Sequence, residues 1–189
     1  MAKKATGVVD QMYSIKITLM GSKPPIWRRV LTPSSFTLYK LHKVIQIAMG
    51  WTDNHLHQFI IDGEHYGIPS PDDWKPVTDE RFEFLSKIAS DAKRTFVYEY
   101  DFGDGWEHQI LVEEISFAEP GVRYPACIAG QRACPPEDIG GVPGYEVFLQ
   151  AIADPSHPAH AMYVDWIGGE FDPEAFSLTK INQGLRRVK

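Results

Sequence analysis

The chain has 189 residues, 43% of them hydrophobic and 23% charged, with a formal net charge of −6 at pH 7. That length and composition fit one globular domain with a full core, and the acidic balance disfavours nucleic acid as a partner, because phosphates call for a basic face. Two cysteines, Cys127 and Cys134, are too few for a disulfide framework. No apolar run reaches the length of a membrane span, and the start MAKKATGVVDQ has no apolar h-region; no membrane partner and a cytoplasmic location are expected.

Residues 1–11 read as a flexible leader and 12–189 as a single domain. Tyr13, Ile15, Ile17 and Leu19 alternate with polar residues, the period of a half-buried strand. After a break at Gly21–Pro25, a second strand runs from Ile26 to Leu31. Thr37 is placed to cap a helix whose apolar face is Leu38, Leu41, Ile45, Ala48 and Met49, closed by Gly50. Leu56–Ile61 and Glu64–Ile68 flank Asp62–Gly63, a dipeptide that favours a tight hairpin turn. Residues 69–80, rich in proline and acids, read as a surface loop, and Phe82–Ile88 is compatible with a short helix or strand.

The clearest strands are Thr95–Asp101 and Trp106–Ile115, separated by the turn signal Phe102-Gly103-Asp104-Gly105. The stretch 118–143, with its prolines, glycines and both cysteines, reads as a long irregular segment of the kind that is often functional. Helices are expected at Tyr145–Ala153 and Ala159–Trp166. A last helix is expected to start at Asp172–Pro173, with Phe176 and Ile181 turned inward. Strands, one helix, more strands and then helices give an α+β fold: a mostly antiparallel sheet with helices packed on one face.

A set of segments in this order resembles the plasmid pRiA4b ORF-3-like family. They are Pro24-Pro25-Ile26-Trp27-Arg28-Arg29, Leu41-His42, Ala48-Met49-Gly50-Trp51 and His55-Leu56. The most specific is Tyr98-x-Tyr100-Asp101-Phe102-Gly103-Asp104-x-Trp106-x-His108. Arg132-Ala133-Cys134-Pro135-Pro136-Glu137-Asp138, Gly140-Gly141 and Gly144-Tyr145 complete it. The likeness spans about residues 12–178. It implies a plasmid or mobile-element association and no defined activity. A recombinase-type activity, attached to some members, would need a serine nucleophile supported by arginines, and no serine here stands in such a constellation. Many relatives resemble a pattern with a further cysteine just before the Gly-Gly pair; here that position is Ile139.

The residues themselves offer several constellations. If Asp104–Gly105 form a two-residue turn, Asp101 faces His108 across the ladder and can orient its ring. If Gly103 joins a three-residue loop, His108 faces Tyr100 instead. The plainer reading is a buried polar pair that holds the hairpin register. His55, His57, His108, Cys127 and Cys134, with the acids Asp101, Asp104, Glu137 and Asp138, supply enough ligands for zinc but no Cys-x-x-Cys spacing, so no cofactor is expected and zinc is the alternative. Trp27, Arg28, Arg29, His55 and Trp106 are candidate binding residues, one of the arginines pairing with the Glu137–Asp138 segment. Phosphate-loop, dinucleotide and serine-elbow motifs are absent.

The favoured function is therefore a non-enzymatic binding or interaction domain, for a protein or peptide, with an aromatic-walled groove. A metal-dependent or acid/base enzyme of hydrolase type, centred on Asp101, Asp104 and His108 with Glu137 and Asp138 nearby, is the alternative. Nucleic-acid binding through Arg28, Arg29 and the basic C-terminus is the third reading.

Overall fold

The computed structural model describes residues 11–188. The strands are β1 (Gln11–Leu19), β2 (Trp27–Pro33), β3 (His57–Ile61), β4 (Glu64–Gly67), β5 (Val77–Asp79), β6 (Thr95–Tyr100), β7 (Trp106–Phe117) and β8 (Ala126–Gln131). The helices are α1 (Leu38–Met49), α2 (Leu85–Ile88), α3 (Gly141–Ala153), α4 (His160–Ile167) and α5 (Leu178–Leu185). The eight strands form one sheet in the order β5-β4-β3-β6-β7-β1-β2-β8, antiparallel except for the parallel pair β4–β5. The chain is thus an α+β domain. None of the described helices is long and apolar enough to cross a membrane.

Period-two patterning gives the sheet two unlike faces. Tyr13, Ile15, Ile17 and Leu19 of β1, Val30 of β2, Phe59 and Ile61 of β3, Phe96, Tyr98 and Tyr100 of β6, and Trp106, Ile110 and Val112 of β7 all point to the buried side. There they join Leu41 and Ile45 of α1, Tyr145 and Phe148 of α3 and Leu185 of α5 in one core. The opposite face carries Lys16, Trp27 and Arg29 and is only partly covered. Helix α4 has no buried residue and packs on α3, with the Tyr163 ring edge-on to Phe148.

Local signals account for the ends of these elements. Thr37 caps α1 by accepting from Lys40 N, and Gly50 closes it at φ 100°. Asp62 and Gly63 both take positive φ, as a two-residue hairpin turn between β3 and β4 requires.

Four expectations change. The stretch 118–143 contains β8, which pairs with β2 and forms a sheet edge; its outer side is closed by Asn182 of α5, whose amide accepts from Cys127 N and donates to Cys127 O. The loop 69–80 contains β5. Asp172–Pro173 opens a turn rather than a helix: the Asp172 carboxylate accepts from Glu174 N, and Ser177 caps α5 instead. Finally, β1 opens at Gln11, within the expected leader; residues 1–10 lie outside the described residues.

Candidate functional site

The β6–β7 connection sets which side chains meet at the sheet's rim. Its register pairs Tyr100 with Trp106 and Tyr98 with His108. The loop is therefore five residues, Asp101–Gly105, longer than either expected turn. Asp101 and Gly105 take positive φ and Gly105 N donates to Asp101 O. The Asp101 carboxylate accepts from Gly103 N at 3.0 Å, which fastens the loop from within. This overturns the Asp101–His108 pair and the Tyr100–His108 alternative alike. His108 is fully buried in the core, its Nδ1 3.3 Å from Tyr98 O and the Trp51 ring edge-on to it. Burial holds its imidazole down to about 4, so it stays neutral.

Asp101 instead meets His55. Strand β3 pairs with β6 so that His57 lies opposite Tyr100, and Asp101 N donates to Leu56 O. The ladder thereby sets the residues just beyond both strand ends side by side. His55 Nε2 lies 3.7 Å from Asp101 Oδ2, 3.9 Å from Glu137 Oε2 and 3.0 Å from Asp138 Oδ1. Three carboxylates converge on one imidazole nitrogen.

The segment bearing Glu137 and Asp138 is firmly held. Trp51 Nε1 donates to Pro135 O. Glu137 Oε1 accepts from Thr52 N, Thr52 Oγ1 and the Tyr100 hydroxyl at 2.9–3.1 Å. Burial, with Glu137 nearby, pushes the Tyr100 phenol well up, so it keeps its proton and donates. Asp104 Oδ2 accepts from Gly140 N, and Gly141 sits so close to this loop that a Cβ there would lie 2.3 Å from Asp104 O. Asp104 is thus a fastener between two loops. Asp101 and Asp138 both hold left-handed backbone, at φ 54° and 58°, a conformation that costs a non-glycine residue free energy and concentrates at functional sites.

A groove of about 670 Å³ adjoins the cluster, walled by Tyr39, Leu56, Trp74 and Phe102 with His42, Asp53, His55 and His57 among its polar groups. Along it, the His42 and His57 rings stack 3.5 Å apart and nearly parallel. His42 is saturated: Nε2 meets Asp53 Oδ1 and Nδ1 meets the Tyr98 hydroxyl, both at 2.8 Å, and that hydroxyl accepts from Gln46 Nε2. Burial, then the second imidazole, hold His42 down to about 3. Burial alone would raise the Asp53 carboxyl, but hydrogen bonds from Lys43 and His42 prevail and keep it below the usual range. His57 Nε2 meets Oε1 of the fully buried Glu80 at 3.0 Å. Its Nδ1 makes no hydrogen bond among the described residues, and the ring borders the groove. His42, Asp53 and His57 are close enough for one ion, yet imidazole lone pairs lie in the ring plane, and two parallel stacked rings cannot both aim at it.

The remaining candidates lie elsewhere. Arg28 is buried, donating to the carbonyls of Ala48, Trp27 and Gln131, and Arg29 forms a two-pronged pair with Glu113; neither meets Glu137 or Asp138. Trp27 lies on the open sheet face with the Lys16 ammonium over its ring, and Trp106 is wholly in the core. Cys127 and Cys134 are free thiols whose acidity burial suppresses, and neither joins a cluster of metal-ligand type among the described residues. His42, Asp53 and Glu80 were not singled out by sequence. The available signal was His42 and Gln46, two polar side chains four apart on the otherwise apolar stripe of α1.

Fold and site define a one-sheet α+β protein with a carboxylate–imidazole cluster beside an aromatic-walled groove. The chain belongs to the plasmid pRiA4b ORF-3-like protein family, whose model matches residues 11–180. It is 37% identical over 181 residues to the uncharacterized protein y4hQ of Sinorhizobium fredii (strain NBRC 101917 / NGR234), covering 94% of this chain and 92% of that one. Its fold matches the crystal structure of MM3350, a protein of unknown function from Methanosarcina mazei Go1, with a TM-score of 0.83 and 37% identity over 91% of this chain and 98% of that one.

Proposed function

We propose that this chain binds a divalent metal ion through His55, Asp101 and Asp138, with Glu137 beside them as a supporting partner, and that the ion helps hold a small polar organic ligand in the adjoining groove. The observation that carries this is the convergence of three carboxylates on His55 Nε2. One imidazole with carboxylate oxygens is a donor set for manganese or zinc rather than for a soft, thiolate-bound ion. The Thr52 and Tyr100 hydrogen bonds that fix Glu137 do the orienting work that outer groups do at metal centres. The groove lies within the usual 300–1,000 Å³ range of small-molecule sites, and its largely polar lining, with Lys43, Asp53, His57, His65 and Lys75 beside the aromatic rings, suits a polar guest. Nucleic acid finds no comparable support, since Arg28 is buried and Arg29 is paired.

Calorimetric titration of chelator-treated protein with manganese or zinc chloride is the test. Saturable binding of about one ion per chain is expected, weakened about 10- to 100-fold in Glu137→Gln, in line with the loss of a metal-site partner. Heats equal to the blank, or undiminished binding in that variant, would refute the reading. A hydrolytic activity is the second reading. It is favoured by His57, whose Nε2 is held by buried Glu80 while the ring borders the groove. Release of nitrophenol from a nitrophenyl ester, dependent on added manganese and lost in Glu80→Gln, would support it, and metal-independent background rates would dismiss it.

A further inference from the structure

The groove beside the His55 cluster narrows the chemistry of its guest in three ways. The first is charge. Four acids, Asp53, Asp72, Asp73 and Glu99, line it against two lysines, Lys43 and Lys75. Lys43 is already paired with Asp53, so a phosphate-rich guest such as a nucleotide meets mostly negative charge. The second is the form of the apolar lining. Its side chains stand largely in solvent: Trp74 is 85% exposed, Leu56 72% and Phe102 50%. The Lys75 ammonium lies over one face of the Trp74 ring at 4.2 Å, and at that exposure the other face is free. A half-solvated aromatic platform takes up one flat, C–H-bearing side of a guest and leaves the guest's edge to hydrogen-bond elsewhere.

The third is a hydrogen-bond acceptor of fixed direction. His57 Nε2 lies 3.0 Å from Oε1 of Glu80, a fully buried carboxylate. A carboxylate accepts, which places the ring proton on Nε2 and the lone pair on Nδ1. The stacked His42 ring, saturated by Asp53 and the Tyr98 hydroxyl, holds the plane of the imidazole. Nδ1 has no hydrogen-bond partner among the described residues and is not among the polar atoms closed off from solvent. The ring lines the groove, so Nδ1 is left to accept from the O–H or N–H of a guest. The proposed metal stands close by. His55 and His57 are two residues apart, about 6–7 Å where a chain is extended. Both meet Tyr100, His55 edge-on to its ring and His57 opposite it in the ladder. A guest that reaches both points carries an anionic group for the metal and a hydroxyl within the breadth of one six-membered ring. We infer that the groove binds a monosaccharide acid of the hexuronate class, with its carboxylate on the metal, a hydroxyl donating to His57 Nδ1 and a C–H face of the ring against Trp74. The assignment rests on the metal reading of the His55 cluster and goes beyond it in naming the guest.

The test is calorimetric titration of the full chain with sodium glucuronate, in saturating manganese chloride and again in chelator, with glucose as the neutral control. In manganese, saturable binding of glucuronate is expected, with glucose much weaker and glucuronate itself much weaker in chelator. Trp74→Ala changes a side chain so exposed that folding should not suffer. It should weaken glucuronate by about three- to tenfold, the worth of one aromatic contact, and leave manganese binding unchanged. Manganese bound without any heat from glucuronate would overturn the sugar-acid site and leave the metal reading standing, whereas no bound manganese would remove both. Equal affinity for glucose, equal affinity in chelator, or undiminished glucuronate binding in Trp74→Ala would also overturn the site.

Discussion

His55 stands just before β3 and His108 on β7, with β6 between the two strands, and they meet opposite surroundings. His108 lies inside the core, walled by Trp51 and Tyr98, and burial keeps it neutral. His55 lies just past the strand ends, partly exposed, facing three carboxylates. Residue type does not separate them. What separates them is the pleat of β7, which turns His108 to the closed face, and the end of the β3–β6 ladder, where side chains leave the sheet and loops 101–105 and 132–140 come to meet them. The core region serves stability, and the rim region is the proposed ligand site. Substitutions in the two should therefore move different observables.

The largest effect belongs to the core. Trp106→Ala, at a fully buried position, should cost about 3–5 kcal/mol, read as a lower urea midpoint; a loss under about 1 kcal/mol would mean that this region is not the packed centre. Acid comes next. His42 and His108 are held down to about 3 and about 4 from an ordinary 6.5. Below pH 6.5 the unfolded chain binds protons that the folded chain refuses, so stability is complete above that pH and falls as pH drops toward 4. Urea midpoints between pH 7.5 and 4.5 should decline accordingly, and His108→Gln should flatten the decline. An unchanged midpoint across that window would show that these imidazoles are protonated in the fold.

The rim effects should be smaller in stability and specific to the proposed metal. Asp101→Asn keeps the oxygen that accepts from Gly103 N, so melting should shift little, while manganese affinity should drop by about 10- to 100-fold. Asp138→Gly sharpens the contrast further. Glycine takes φ 58° without the strain a side chain meets there, which offsets the roughly 0.4–1 kcal/mol that its freer unfolded chain costs, so melting should shift little while metal affinity is lost. A coupled loss of stability and binding would place Asp138 in the scaffold.

Much of the core region was legible in the sequence, because burial writes a period. The alternation of β1, the helical stripe of α1 and the Asp62–Gly63 turn each carry their own local signal. Strands β5 and β8 carry little: β5 is three residues beside Pro76, and β8 is Ala-Cys-Ile-Ala-Gly-Gln, small side chains without clear alternation that become a strand only by pairing with β2. The β6–β7 register was misplaced because Asp104–Gly105 looks like a two-residue turn, whereas Asp101 takes the left-handed conformation and lengthens the loop. His55, Asp101, Glu137 and Asp138 were each visible as candidates. Their meeting was not, since it depends on loop 132–140 reaching across to the end of β3, a contact between distant stretches that no local pattern encodes.

The rim's part in this contrast turns on one quantity, the metal content of the protein after equilibrium dialysis against micromolar manganese, measured by mass spectrometry beside an Asp101→Asn, Asp138→Asn double variant. About one ion per chain in the parent and almost none in the double variant is the predicted result. Fewer than about a tenth of an ion per chain in the parent, or equal loading of both proteins, would contradict a metal site at His55.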